Sequence, residues 1–159
     1  MPVFSLPDAE AVVASALERC RTSSANASIV AQALVRAEAE GLKSHGILRV
    51  PMYAAQAKIG KVHGDAVPDV ATPKPALLSI DAKFGFAYPA MYKAVELLPA
   101  LARQYGIAAA GIHRSHHVGV AGHPMEALSR AGMMAMMFAN APAAMAPWRS
   151  EEHTSELQS

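Results

Sequence analysis

Residues 77–112 constrain the fold more tightly than any other stretch of the chain. A short apolar run, Leu77-Leu78-Ser79-Ile80-Asp81, reads as a strand, and Pro89 to Tyr105 carries a long helical pattern closed by Gly106. A second apolar run, Ile107 to Ile112, reads as another strand. Strands separated by a helix imply α/β architecture. Beyond them, Pro124 to Arg130 reads as a short helix and Met133 to Ala139 as a fully buried strand. The methionines of that last run are read as core filler and not as a soft-metal surface.

The segment in front is helical. Ser5 can cap a helix from Pro7 to about Arg21, with Val12, Val13, Leu17 and Cys20 near one face. A second helix follows Ser23 to Asn26, with Ile29, Ala33, Leu34 and Ala37 as its stripe and Gly41 as its stop. Ser44 can cap a third that ends at Gly60, with Ile47, Leu48, Val50, Met52 and Ala55 buried and Pro51 confined to the first turns. Lys61 to Pro75, rich in proline and without a period, reads as an arm across the surface. The expected organisation is a helical segment over residues 1–60, an arm over 61–76 and an α/β domain from 77 to 148.

Composition changes abruptly at Arg149. The stretch Arg149-Ser-Glu-Glu-His-Thr-Ser-Glu-Leu-Gln-Ser159 is the in-frame translation of a widely used sequencing-library adapter, so residues 149–159 are read as an artefact and the native sequence as broken off after Trp148. The net charge is +1, and setting aside Arg149, Glu151, Glu152 and Glu156 leaves a slight cationic excess. So small an excess, without a basic cluster, gives no reason to expect a nucleic-acid or membrane partner. A single cysteine, Cys20, excludes an intrachain disulfide and favours the cytoplasm. The first residues, MPVFSLPDAE, lack the basic region and apolar run of a signal peptide, and no later apolar run reaches membrane-spanning length.

Two histidine clusters are the candidate chemistry. In Lys43-Ser-His-Gly-Ile-Leu-Arg49, His45 can exchange a proton and Arg49 can clamp a carboxylate, which suits a small 2-hydroxy or 2-oxo acid. Read without any family, Ser44 is better taken as a helix cap and Arg49 as a surface charge. In the second cluster, His113 to His123 holds four histidines after a strand, where α/β folds place their chemistry. A zinc- or ligand-binding module built on that loop is the alternative, although no structural-zinc spacing is present. Neither a G-x-G-x-x-G fingerprint nor a P-loop occurs.

At these clusters the chain resembles the malate/L-lactate dehydrogenase family, non-Rossmann NAD(P)-dependent oxidoreductases that include ureidoglycolate dehydrogenase, diketogulonate reductase and cyclic imino-acid reductases. The resemblance rests on Ser44-His45-Gly46 with Arg49 and Pro51, the arm ending near Pro68, the Gly106-Ile107 turn, Ser115-His116-His117 with Gly119 and Gly122, and Asn140-Ala-Pro with Ala146-Pro147-Trp148. It implies a chain about twice as long, of which this is an N-terminal fragment carrying the truncated start of a non-Rossmann NAD(P)-binding α/β domain. It also implies hydride transfer between NAD or NADP and a small 2-hydroxy/2-oxo acid in a cytoplasmic homodimer. His45 and His117 become candidates for proton transfer, Ser44 a residue that orients the site, Arg49 the carboxylate clamp, and Asn140 and Ala141 neighbours of the nicotinamide; no metal is implied. Relatives commonly carry Asn where this chain has His116. The chain alone is expected to be inactive.

Overall fold

The computed structural model describes residues 4–140, which form five α-helices and a three-stranded sheet. The α1 helix spans Leu6–Glu18 and α2 spans Ser24–Ala39. Both start as their sequences dictate. The Ser5 hydroxyl accepts the Asp8 N–H at 3.3 Å and the Ser23 hydroxyl accepts the Asn26 N–H at 3.3 Å, each supplying a partner the first helical turn lacks. Gly41, at φ +81°, ends the second by entering the left-handed region.

The third helix departs from expectation. Residues Lys43–His45 and Ile47–Arg49 form two single 3-10 turns, and only Val50–Lys58 is α-helical (α3), with Pro51 in its first turn. Ser44 caps nothing. The Glu38 carboxylate takes its place, accepting the Ile47 N–H at 3.0 Å and lying so close beneath Gly46 that a Cβ there would stand 2.3 Å from it. With the register of the turn changed, Leu48, Met52 and Ala55 face solvent, while Tyr53 and Ala57 are the buried positions.

The arm also carries more structure than its sequence announces. Asp69–Lys74 is a strand, β1, antiparallel to β2 (Leu77–Asp81), with a register irregularity between Ala71 and Lys74. Pro73, which has no N–H to donate, falls within that irregularity on an edge strand. All six β1 residues are exposed, so no alternation betrays the strand. From β2 the chain enters α4 (Ala87–Tyr105), is stopped by Gly106 at φ +82°, and returns as β3 (Ala109–His113), parallel to β2 in the order β1-β2-β3. Helix α5 spans Gly122–Arg130.

Two cores result. Val13, Leu17, Val30, Leu34, Tyr53 and Phe86 fill the first, between the N-terminal helices and the start of α4. Leu78, Ile80, Ala90 and Ala94 fill the second, between β2 and α4. Met133 to Ala139 is not the buried strand that its apolar run predicts. It joins no ladder among the described residues, and Met134, Met136 and Phe138 stand in solvent. Apolarity buries a run only where a neighbouring strand and a covering layer exist. No described helix is long and apolar enough to cross a membrane.

Candidate active site

The two histidine clusters, more than sixty residues apart in sequence, meet in space. The His45 and His117 rings stack with centroids 5.6 Å apart and planes inclined by 27°. His45 rides on the first 3-10 turn, where the Ser44 hydroxyl lies 3.0 Å from its Nδ1. Arg49, one turn later, sends its Nε–H back to the Ser44 carbonyl at 2.5 Å, its only side-chain hydrogen bond among the described residues. The guanidinium therefore keeps donors for a ligand.

His117 sits in the loop that follows β3, held from below by Tyr53. The Tyr53 hydroxyl is 2.9 Å from His117 Nδ1, and the Gly119 N–H donates to the same nitrogen at 3.2 Å. An amide can only donate, so Nδ1 is the acceptor and the neutral ring carries its proton on Nε2. A second proton on Nδ1 would face the Gly119 N–H. His117 titrates below an ordinary histidine, first because burial disfavours its charged form and then because Arg49 and His45 repel it. Burial likewise raises Tyr53 and Tyr88, whose hydroxyls are 3.4 Å apart.

Gly119 is required here. At φ +75° its hypothetical Cβ would lie 2.4 Å from the Tyr88 hydroxyl. Next to it, His116 packs edge-on against Tyr53 and Phe86 and donates Nε2–H to Gln56 Oε1 at 2.6 Å. That leaves buried Nδ1 without a partner among the described residues. Burial, then His117, Lys61 and Arg49, depress His116 to about 4. The permanently charged side chains acting on the two loop histidines, Arg49 and Lys61, are both cationic. Such a locus is complementary to an anion.

The zinc-module reading fails on geometry. His113 faces Ser79, His116 faces Gln56, His117 faces Tyr53 and His123 faces Glu40, so the loop histidines diverge. Among the described residues no three metal-binding side chains converge. Ser44, His45, Arg49 and His117 are brought together in the fold. Asn140 is exposed at the end of the described residues, and Ala141 and the segment 149–159 lie outside them. The sequence reading missed Tyr53, Gln56 and Tyr88, and named Gly119 only as a motif residue, without its contact to Tyr88 or its N–H to His117. In Tyr53 and Gln56 the only local signal was a polar atom on a helix two and five residues past the Arg49–Pro51 motif, which a core tyrosine and a surface glutamine supply just as often. Two clefts, of about 450 Å³ beside Arg21 and His63 and about 560 Å³ beside Glu10 and Tyr92, lie elsewhere; neither is lined by the imidazole pair.

The family model for malate/L-lactate dehydrogenase matches residues 4–155. The chain belongs to the malate/L-lactate dehydrogenase family. The match runs past Trp148 into the segment read as adapter-derived. Within this family, the chain is 46% identical over 146 residues to the (2R)-3-sulfolactate dehydrogenase (NADP(+)) of Chromohalobacter salexigens, an alignment covering 92% of the chain and 44% of the relative. It is 33% identical over 138 residues to a Delta(1)-pyrroline-2-carboxylate/Delta(1)-piperideine-2-carboxylate reductase of Pseudomonas putida, covering 87% of the chain and 40% of the relative. The chain therefore spans less than half the length of these relatives. Among solved structures it resembles the malate dehydrogenase of Pyrococcus horikoshii (TM-score 0.74, 25% identity, 82% of this chain and 37% of that one). It also resembles the sulfolactate dehydrogenase of Methanocaldococcus jannaschii (TM-score 0.72, 26% identity, 79% and 36%). These likenesses agree with the α/β fold and its N-terminal helical segment.

Proposed function

We propose that the protein is part of an NAD(P)-dependent oxidoreductase that interconverts a small 2-hydroxy acid and its 2-oxo acid, with 3-sulfolactate a favoured substrate and NADP a favoured cofactor. The observation that carries this reading is the stacked His45–His117 pair beside a guanidinium with free donors, in a locus where the perturbing charges are all positive. A substrate with one carboxylate and a second anionic group matches that charge. The (2R)-3-sulfolactate dehydrogenase relative favours the sulfonate.

The proton has an assigned path in this proposal. His117, protonated on Nε2, donates to the substrate oxygen, and His45, its Nδ1–H given to Ser44, offers a free Nε2 lone pair to the hydroxyl proton during oxidation. Arg49 holds the carboxylate. The donor set fits a phosphate-bearing dinucleotide, with cationic groups around the loop and Asn140 exposed. Asn140 and Ala141 would lie on its nicotinamide side, and the bound nicotinamide supplies the hydride. The cytoplasmic homodimer belongs to the same proposal, as does the reading of 149–159 as adapter-derived.

The test uses the uninterrupted reading frame, assayed with 3-sulfolactate, malate, lactate and a cyclic imino acid. His45→Ala and His117→Ala should each lower turnover by about a hundredfold or more, and Arg49→Ala should mainly raise KM. The acidic limb of the pH–rate profile should vanish in His45→Ala and survive in His117→Ala. The opposite pattern would reverse the two histidine roles, and near-normal turnover in both would remove the site. Residues 1–159 alone are expected neither to reduce 2-oxo acids nor to bind NAD(P)H measurably, because hydride transfer needs both reactants held at near-attack distance by a complete cofactor domain.

A further inference from the structure

Three non-glycine residues around the site hold left-handed backbone conformations: Lys83 at φ +50°, Phe84 at +59° and Arg114 at +50°. Side chains of this kind rarely adopt that region, which Asn, Asp and glycine tolerate better. Something must hold them there. All three cluster where the loop after β2 meets the loop after β3, and one carboxylate joins them. Asp81, the last residue of β2, accepts Arg114 Nε–H at 2.8 Å, a second guanidinium nitrogen on its other oxygen, and the Lys83 N–H at 2.9 Å. The same guanidinium lies 5.3 Å above the Phe84 ring.

Around this ion pair the two loops are zipped together. Ala82 N–H donates to His113 at 3.0 Å, Phe84 N–H to Arg114 at 2.6 Å, and His116 N–H to Gly85 at 3.0 Å. On its other side Gly85 packs against the arm, where a Cβ would stand 2.8 Å from the Ala66 methyl. One loop then delivers Phe86 and Tyr88 to the floor of the site. The other delivers His116 and His117.

We propose that the Asp81–Arg114 pair is a positioning device: it holds Arg114 in the left-handed turn that leads the chain from β3 into the site, and so fixes where His117 stands against Tyr53 and Gly119. Neither residue touches His45, His117 or Arg49 in the hydrogen-bonding network. An exposed ion pair contributes little to global stability as a rule, but a two-pronged one can select a local backbone conformation. The significance of that position rests on the proton-transfer reading of His117; the device itself does not.

The experiment reads His117 directly, without turnover, so its failure is separable from failure of the functional reading. Imidazole nitrogen NMR of the chain should show His117 Nδ1 as a hydrogen-bonded acceptor with Nε2 protonated. Asp81→Asn and Arg114→Ala should both abolish that signature and move the His117 titration midpoint toward the ordinary value of about 6.5. The groups that face the ring, Arg49, His45 and Tyr53, are unchanged in these variants. Glycine reaches a positive φ without a clamp, so the double variant Asp81→Asn/Arg114→Gly should restore the signature. An unchanged signature in both single variants overturns the proposal, as does a double variant that stays perturbed. Should Asp81→Asn unfold the chain, refolding in the double variant supports the proposal and continued unfolding refutes it.

Discussion

Replacing Tyr53 by Phe removes one oxygen from the floor of the site and little else. The ring is fully buried, packs on Phe86 and His116, and can keep its place. The lost hydroxyl bonds to His117 Nδ1 at 2.9 Å and lies 3.4 Å from the Tyr88 hydroxyl. His117 Nδ1 keeps the Gly119 N–H, so on that side only a net hydrogen-bond contribution disappears, about 1 kcal/mol. Tyr88 fares worse. It is 4% exposed and has no other hydroxyl partner among the described residues, so its buried O–H is left unsatisfied at a cost of about 1–3 kcal/mol. Tyr53→Phe should therefore destabilise the chain by about 2–4 kcal/mol in urea titrations followed by far-ultraviolet circular dichroism. Removing the second hydroxyl as well eliminates the orphan. The double variant Tyr53→Phe/Tyr88→Phe should be more stable than Tyr53→Phe alone, a sign that simple additivity cannot produce. A loss below about 0.5 kcal/mol for Tyr53→Phe, or a double variant at the sum of the singles, would refute the hydroxyl network.

Gly119→Ala and Gly106→Ala separate backbone strain from collision. Both glycines have φ near +80°, but only the Gly119 Cβ meets an atom, the Tyr88 hydroxyl at 2.4 Å, while Gly106 has open space. Each should lose about 1–2 kcal/mol for the left-handed conformation in the same urea titration, with a further loss at Gly119 alone. Equal losses would mean the loop moves away from Tyr88 freely. His116, ordinarily at 6.5 and depressed to about 4 in the fold, binds its proton in the unfolded chain first as pH falls. Its contribution is present above about 6.5 and is lost on acidification toward about 4, so stability should decline across that window and less so in His116→Asn. Indistinguishable pH profiles for the two proteins would contradict the burial of His116.

Local physics determined much of this molecule. The hydroxyls of Ser5 and Ser23 cap α1 and α2, and Gly41 and Gly106 stop their helices, because each acts on backbone groups within one turn of itself. The strand-helix-strand order of residues 77–113 was legible for the same reason: apolar periodicity and turn residues are properties of adjacent positions. Ser44, His45, Arg49 and His117 were legible as members of motifs, without anything in the sequence bringing the two clusters together.

Tertiary structure decided the rest, where the deciding partner is distant in the chain. β1 exists because β2 offers its edge, and with every β1 side chain in solvent no alternation recorded the fact. The 3-10 turns at Ser44 form over the Glu38 carboxylate, which also displaced Leu48 and Ala55 from the core. Met133 to Ala139 is as apolar as a buried strand and yet exposed, since apolar composition states a preference for burial and says nothing of what is present to cover it. The proton on His117 is assigned by Gly119 and Tyr53 together, one two residues away and the other on a different helix. An imidazole's tautomer depends on which donor or acceptor meets each nitrogen, and only the folded chain puts those groups within hydrogen-bonding distance.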